Sequence, residues 1–201
     1  NEILSLKELE KEFNIRDLSV SPAIFDVEKL DYFNGYYIRH KNIDELVELC
    51  KPYLKTNLEK GTRSKEQGAN FIKKVVALEQ ERLKKLSEIG ELTELFFVDK
   101  LEYPAELLVW KKMEKNQVKN NLEKIHELLE KIPDENWTND SIEEDIKSYI
   151  EAKNERVGEY LWPMRVALTG REASPSPFDV AEVLGKEESL KRIKQAINKL
   201  T

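Results

Sequence analysis

LWPMRVALTGREASPSPFDVAEVLGKEESLKRI, Leu161 to Ile193, alternates helix-forming runs with the residues that stop them. WPMRVALT reads as a helix end closed by Gly170, and REASPSP is a loop of small, polar and proline residues. Pro177 suits the first turn of a helix, where its missing N–H is no loss, so a short helix is predicted from Phe178 to Leu184, with Gly185 closing it. A last helix then carries Leu190, Ile193, Ile197 and Leu200 on one face, with Lys191, Arg192 and Lys194 on its flanks. The stretch reads as helix, proline loop, short helix, helix.

The same grammar extends outward. Ser5 and Glu8 form a capping box ahead of Leu6, Leu9 and Phe13. Phe25, Leu30, Phe33 and Tyr37 lie on one helical stripe, with Gly35 as a weak point. Asn42 and Glu45 box a helix that carries Ile43, Leu46, Val47 and Leu49 and is expected to end near Pro52. Ser64 and Gln67 open a long helix bearing Phe71, Ile72, Val75, Val76, Leu83 and Leu86, interrupted at Gly90. Leu95 to Val98 is too short an apolar run to assign. A long helical region is predicted from Pro104 to Ile132, broken by Pro133 and Asp134, and Ser141 with Glu144 boxes the next. The chain has 201 residues, only 7 glycines and 7 prolines, and no strand alternation or repeat. The fold class is all-α and multihelical.

Composition narrows function mostly by exclusion. One cysteine, Cys50, allows neither an internal disulfide nor a cysteine zinc site, and its place on an apolar face makes it a buried hydrophobe. His40 and His126 have no second ligand at helical spacing, so no metal site is expected. A phosphate-binding glycine loop and a Ser-His-Asp or Cys-His pairing are both missing, and the carboxylates sit on charged helix faces. The N-terminal NEILSLKELEKEF is neither signal peptide nor membrane anchor, and a reduced cytoplasmic setting fits. The net charge of −6 conceals a polarity: ten basic residues face four acidic ones between Lys51 and Lys85, while acids predominate from Leu122 to Glu159. A locally positive face of that kind suits RNA, and solvated helix faces of mixed sign are the plainer reading.

Three segments in order resemble the C-terminal half of bacterial glutamyl-tRNA synthetases: SPAIFDVEKLDYFNGYYIR (Ser21 to Arg39), VALEQERLKKLSEI (Val76 to Ile89) and the opening stretch, Leu161 to Ile193. In that family a Pro-x-Arg-x-Ala-Leu-Thr-Gly helix end precedes a Ser/Thr-Pro loop, a Phe-led helix and Leu-Gly-Lys-Glu. The resemblance implies residues 1–41 as the end of a stem-contact region, 42–94 as a first anticodon-binding helical subdomain and 95–201 as a second. It implies tRNA, the glutamate isoacceptor, as partner, together with the catalytic domain of a parent ligase, and a monomer with no membrane contact. The family's HIGH-type and KMSKS-type motifs are not in the sequence, so no catalytic residue is expected here. ATP and magnesium would serve the parent, which attaches glutamate to tRNA, or also charges glutamine tRNA if non-discriminating. A helical protein-interaction scaffold is the alternative.

The resemblance also places residues. Arg82 matches the arginine that reads the third anticodon base; otherwise it is one more charge on a lysine-rich helix. Arg165 matches a position near the other two bases, where its guanidinium could stack, the alternative being an ion pair. Ser174, Pro175, Pro177 and Phe178 match the loop bordering the anticodon: the prolines as a stiff wall, Ser174 as a hydrogen-bond donor, Phe178 as core. Lys51, Lys55, Lys73, Lys74 and Lys85 are candidates for phosphate contact, with Arg39 a backbone contact in the stem segment. Trp110 and Trp162 are expected to fill the core.

Overall fold

A computed structural model describes residues 3–18, 24–60 and 63–200, the side chains of 55–60 and 63–67 excepted. The Ser64–Gln67 box, the Lys55 side chain and the start of the segment at Ser21 lie outside the described residues.

Among these residues ten α-helices and no strand are found. Helix α1, Leu6–Glu12, starts on the Ser5–Glu8 capping box, with both reciprocal bonds present. Helix α2, Val27–Arg39, is capped by Asp26, which accepts from the Lys29 N–H at 3.0 Å. Helix α3, Ile43–Lys60, begins where Asn42 Oδ1 accepts from the Asp44 N–H at 2.9 Å, and it runs through Pro52 instead of ending there. A proline inside a helix removes one ladder bond. Packing supplies what the ladder loses: Leu46, Cys50 and Leu54 are fully buried along the same face.

Helix α4, Arg63–Glu79, bends at Gly68 (φ 69°). It stops at Glu79, well short of Gly90, so Arg82 lies in the following turn and not on a helix. Gly90 is inside α5, Ile89–Thr93, where a Cβ would sit 2.7 Å from the Tyr53 carbonyl oxygen. Gly90 therefore permits close helix packing and interrupts nothing. Leu95, Phe96 and Phe97, left unassigned by pattern, form a buried 3-10 turn after α5.

The predicted helix from Pro104 to Ile132 is two pieces. A 3-10 turn spans Ala105–Leu108, the chain reverses through Lys111 (φ 54°), and α6 occupies Lys115–Lys131. Trp110 thus lies on the reversal, half-buried, with Lys111 over its ring at 4.1 Å; Trp162, also half-buried, donates Nε1–H to the Leu107 carbonyl at 2.9 Å. Trp162 packs against the edge of the core and Trp110 covers Gly158, so neither is enclosed within it.

Helix α7, Asn139–Lys153, starts before the Ser141–Glu144 box: Thr138 is the N-cap and accepts from the Ser141 N–H. Helix α8, Val157–Thr169, ends on Gly170 at φ 69°, and α9, Pro177–Leu184, has Pro177 in its first turn under a Ser176 cap. Helix α10, Lys186–Lys199, follows.

Helices α6, α8 and α10 pack together, α7 and α9 close one side, α3–α5 form the other group, and α4 against α9 joins the two. One contiguous set of buried apolar side chains runs through both groups, Cys50 and Phe178 among them. The expected stripe does not join it: Phe25, ahead of α2, and Leu30 and Tyr37 on it are exposed.

Arg192, expected on a flank of α10, is 1% exposed. Its Nε donates to Glu188 at 2.8 Å, Nη1 to the Leu168 carbonyl at 2.7 Å, and Nη2 to those of Leu95 and Val98 at 2.9 and 3.0 Å. These carbonyls come from helix ends and turns, where intrahelical partners run out. A lysine could not have reached all of them; the guanidinium fork does.

Candidate nucleic-acid interface

The turn after α4 is held from two directions. The Gln80 side-chain amide donates to the carbonyls of Ile38 and Lys41, each at 2.9 Å, and so caps α2. At Gly35 an added Cβ would lie 3.3 Å from the Leu83 carbonyl oxygen, so glycine there lets α2 approach the turn. The N–H groups of Arg82 and Leu83 both donate back to the Glu79 carbonyl, at 2.9 and 3.1 Å. Arg82 is therefore presented by a closed turn anchored to a helix.

Its guanidinium meets a carboxylate. Arg82 Nη1 donates to Glu79 Oε2 at 2.7 Å; the arginine side chain is 34% exposed and Glu79 has no exposed surface. Burial raises the Glu79 pKa above the usual carboxylate value, opposed by the charges of Arg82 and Arg171. The other oxygen, Oε1, is buried without a hydrogen-bond partner among the described residues.

Arg165 comes to the same place from the far end of the sequence. Nη1 donates to the Ser174 carbonyl at 2.7 Å, to Ser174 Oγ at 2.9 Å and to the Pro175 carbonyl at 2.8 Å. The arginine thus clamps the serine/proline loop. Burial, and then the positive charge of Arg82, lower its pKa. The Ser174 hydroxyl donates to the Pro175 carbonyl at 2.9 Å, so that donor is already engaged. Pro175 and Pro177 are buried, and they stiffen the loop from beneath instead of presenting a wall.

Arg171 is a third member that sequence reasoning missed. It donates to the carbonyls of Leu92 at 3.1 Å and Glu91 at 2.7 Å, at the end of α5, and its charge acts on Glu79. Glu79 was missed as well. Its spacing three residues before Arg82 was a legible signal, since such positions meet on a helical turn. Nothing in the sequence marked Arg171 except its place directly after Gly170.

The lysines divide. Lys73 pairs with Asp44 at 2.7 Å and Lys51 with Glu48 at 2.5 Å, beside a cleft of about 510 Å³ that Glu45 also lines. Lys85 pairs with Asp31 on α2 at 3.0 Å. Lys74 is exposed and makes no ion pair among the described residues. Arg39 is half-buried, with its guanidinium folded back near Gly35. The structure thus brings Arg82, Arg165 and the 174–177 loop together, while Lys51, Lys73 and Lys85 are engaged with carboxylates of their own. No helix of the described residues is long and apolar enough to cross a membrane.

Comparison with known proteins places this geometry. Residues 45–197 match the family model of the anticodon binding domain. The chain is 37% identical over 201 residues to the glutamate–tRNA ligase of Clostridium botulinum (strain Loch Maree / Type A3), covering 99% of this chain and 39% of that protein. The ligase of Clostridium tetani matches at the same identity and the same coverage. The chain spans 39% of the length of the curated relatives it matches. A glutamate tRNA ligase from Elizabethkingia meningosepticum, solved in complex with its amino acid, superimposes with a TM-score of 0.79 at 24% identity, over 100% of this chain and 38% of that one. The glutamate-tRNA synthetase of Elizabethkingia anophelis gives a TM-score of 0.74 at 26% identity, over 98% of this chain and 37% of that one.

Proposed function

The chain belongs to the anticodon binding domain family, and from that premise we propose that it binds the anticodon loop of glutamate tRNA and serves a glutamate–tRNA ligase. The catalytic domain of such a ligase, with its ATP and magnesium, attaches glutamate; this chain contributes tRNA recognition, through residues 42–94 and 95–201 together. The observation that carries the reading is the convergence of Arg82 and the Arg165-clamped loop on one face, with Arg82 still partly exposed. Unpaired loop bases offer their edges and faces to such groups.

Arg82 discriminates by donor and acceptor matching. Glutamate anticodons end in C and the near-cognate glutamine anticodons in G. Cytosine offers O2 and N3 as adjacent acceptors to an arginine fork. Guanine presents N1–H and an amino group on that edge, so donors would face donors, and unmet polar groups cost more than a good contact gains.

A second contact is protein. Exposed Ile24 and Phe25, just ahead of α2, with Val27 and Leu30 in its first turns, favour a face that the rest of a ligase covers.

The test is binding of the chain to glutamate tRNA transcripts that differ only at the third anticodon base, with Arg82→Gln as the variant. Glutamine both donates and accepts, so the affinity gap between C and G should narrow more than overall affinity falls. Equal losses for both transcripts would reduce Arg82 to a phosphate contact, and no RNA binding at low salt would leave the protein-interaction scaffold as the function.

A further inference from the structure

We propose that Glu79 is a positioning residue for this recognition, a buried carboxylate that aims the Arg82 guanidinium at the base. The inference rests on the reading of Arg82 as the group that meets the third anticodon base. Glu79 has no exposed surface, so it cannot touch RNA and acts only through Arg82.

Three features make the assignment. Arginine side chains on a surface turn are long and mobile, and three of them, Arg82, Arg165 and Arg171, lie within electrostatic reach in one cluster. Like charges so placed would drive the most exposed of them, Arg82, out into solvent. A single carboxylate at the last position of α4 counters this, because it binds Arg82 Nη1 at 2.7 Å while its own carbonyl closes the turn on the Arg82 N–H at 2.9 Å. Side chain and backbone of one residue thus fix both the root and the tip of Arg82.

Second, one edge of the fork remains for a ligand. Among the described residues no hydrogen bond is made by Arg82 Nη2 or Nε, although a guanidinium has five donors. An oriented, partly unsatisfied fork has less freedom to lose on binding than a free one.

Third, Glu79 is an unfavourable way to stabilise a fold. Its ionised form is disfavoured by burial, and Oε1 has no partner among the described residues. Arg192 shows the alternative, a buried arginine whose donors are met by backbone carbonyls and one carboxylate. A charge kept at position 79 without such bonding has its use in Arg82.

The experiment measures the full 201-residue chain against anticodon-arm RNA hairpins with C or G at the third anticodon position. Glu79→Gln keeps the volume and removes the charge. The affinity ratio C over G should fall by about tenfold, the worth of one bidentate contact, while the melting temperature stays level or rises. In the Arg82→Gln background the same change should lower the ratio no further. Glu79→Asp, which keeps the charge but withdraws it by one methylene, should recover part of the ratio. If Arg82→Gln lowers the ratio and Glu79→Gln leaves it intact, Arg82 reads the base unaided and the inference is overturned. A Glu79→Gln chain that melts much earlier would also overturn it, because the role would then be structural. If Arg82→Gln itself leaves the ratio unchanged, the functional reading falls first.

Discussion

Arg192 and Arg82 stand in two regions that treat the same side chain in opposite ways. Around Arg192, α10, the end of α8 and the turn after α5 supply acceptors on three sides, and the guanidinium is 1% exposed. Around Arg82 a single carboxylate takes one nitrogen, and 34% of the side chain stays exposed. A guanidinium whose hydrogen bonds are internal holds the fold together, and one that is held but not saturated is available to a ligand. The distinction is one of acceptor supply, and the charge pattern along the chain does not contain it.

The largest test of that contrast removes the saturated arginine. Arg192→Ala takes from Glu188 its buried guanidinium partner, leaving it Lys191 at 3.1 Å, and leaves the carbonyls of Leu168, Leu95 and Val98 without this donor in a buried site. Breaking a buried pair in this way costs about 3–5 kcal/mol. Urea denaturation should show that loss, whereas Arg82→Gln, whose amide can still donate to Glu79, should cost clearly less. Equal costs at the two positions would erase the comparison.

Arg165 lies between these extremes, and it sharpens the comparison by answering to both measurements. Its Nη1 clamps Ser174 and Pro175, so Arg165→Ala should cost about 1 kcal/mol of stability and speed hydrogen exchange in the 174–176 loop. If the guanidinium also stacks on a base, RNA affinity should fall by roughly 1–3 kcal/mol. Lost loop protection with RNA affinity intact would make Arg165 a loop clamp alone.

The helices around this site were legible in the sequence, and its bonding was not. Ser5, Pro177, Gly170 and Gly185 act on neighbours one turn away, so their punctuation predicts α1, α8 and α9 closely. Pro52 and Gly90 misled because tertiary packing overrides local propensity: buried Leu46, Cys50 and Leu54 carry α3 through the proline, and Gly90 serves the approach to Tyr53. Arg192 looked like a flank residue because its acceptors are contributed by segments remote in sequence. Arg82 and Arg165 were named through family resemblance, and only the fold shows Glu79 and Arg171 beside them.

A smaller effect follows from Glu79. Its folded pKa is raised by burial, so the folded chain holds that proton more tightly than the unfolded chain does. The penalty of the ionised carboxylate is present above the folded pKa and is relieved as pH falls through it toward the unfolded value of 4.5. Asp179 is shifted the same way, so the measurement compares the chain with Glu79→Gln instead of following one protein. At pH 7 the glutamine variant should be at least as stable, and any advantage should shrink on acidification. An advantage that grows toward low pH would mean that the carboxylate stabilises the fold and does not merely hold Arg82.

The smallest effect carries the same contrast to the surface. Lys73 and Lys74 are adjacent on α4, yet Lys73 is tied to Asp44 at 2.7 Å and Lys74 has no ion-pair partner among the described residues. A phosphate approaching Lys73 must displace a carboxylate and stay beside it, so little net attraction is left. Among the described residues Lys74 meets no such competitor. Each phosphate contact on a single-stranded region adds about 0.7 to the slope of log affinity against log salt. Lys74→Ala should therefore flatten that slope by about one contact and weaken C-ending and G-ending RNAs alike, since phosphates carry no sequence. Lys73→Ala should leave slope and affinity nearly unchanged, and stability should move by less than about 1 kcal/mol in either variant. If the two lysines flatten the slope equally, internal pairing does not decide availability at the surface, and the rule drawn from Arg192 and Arg82 is confined to the protein's interior.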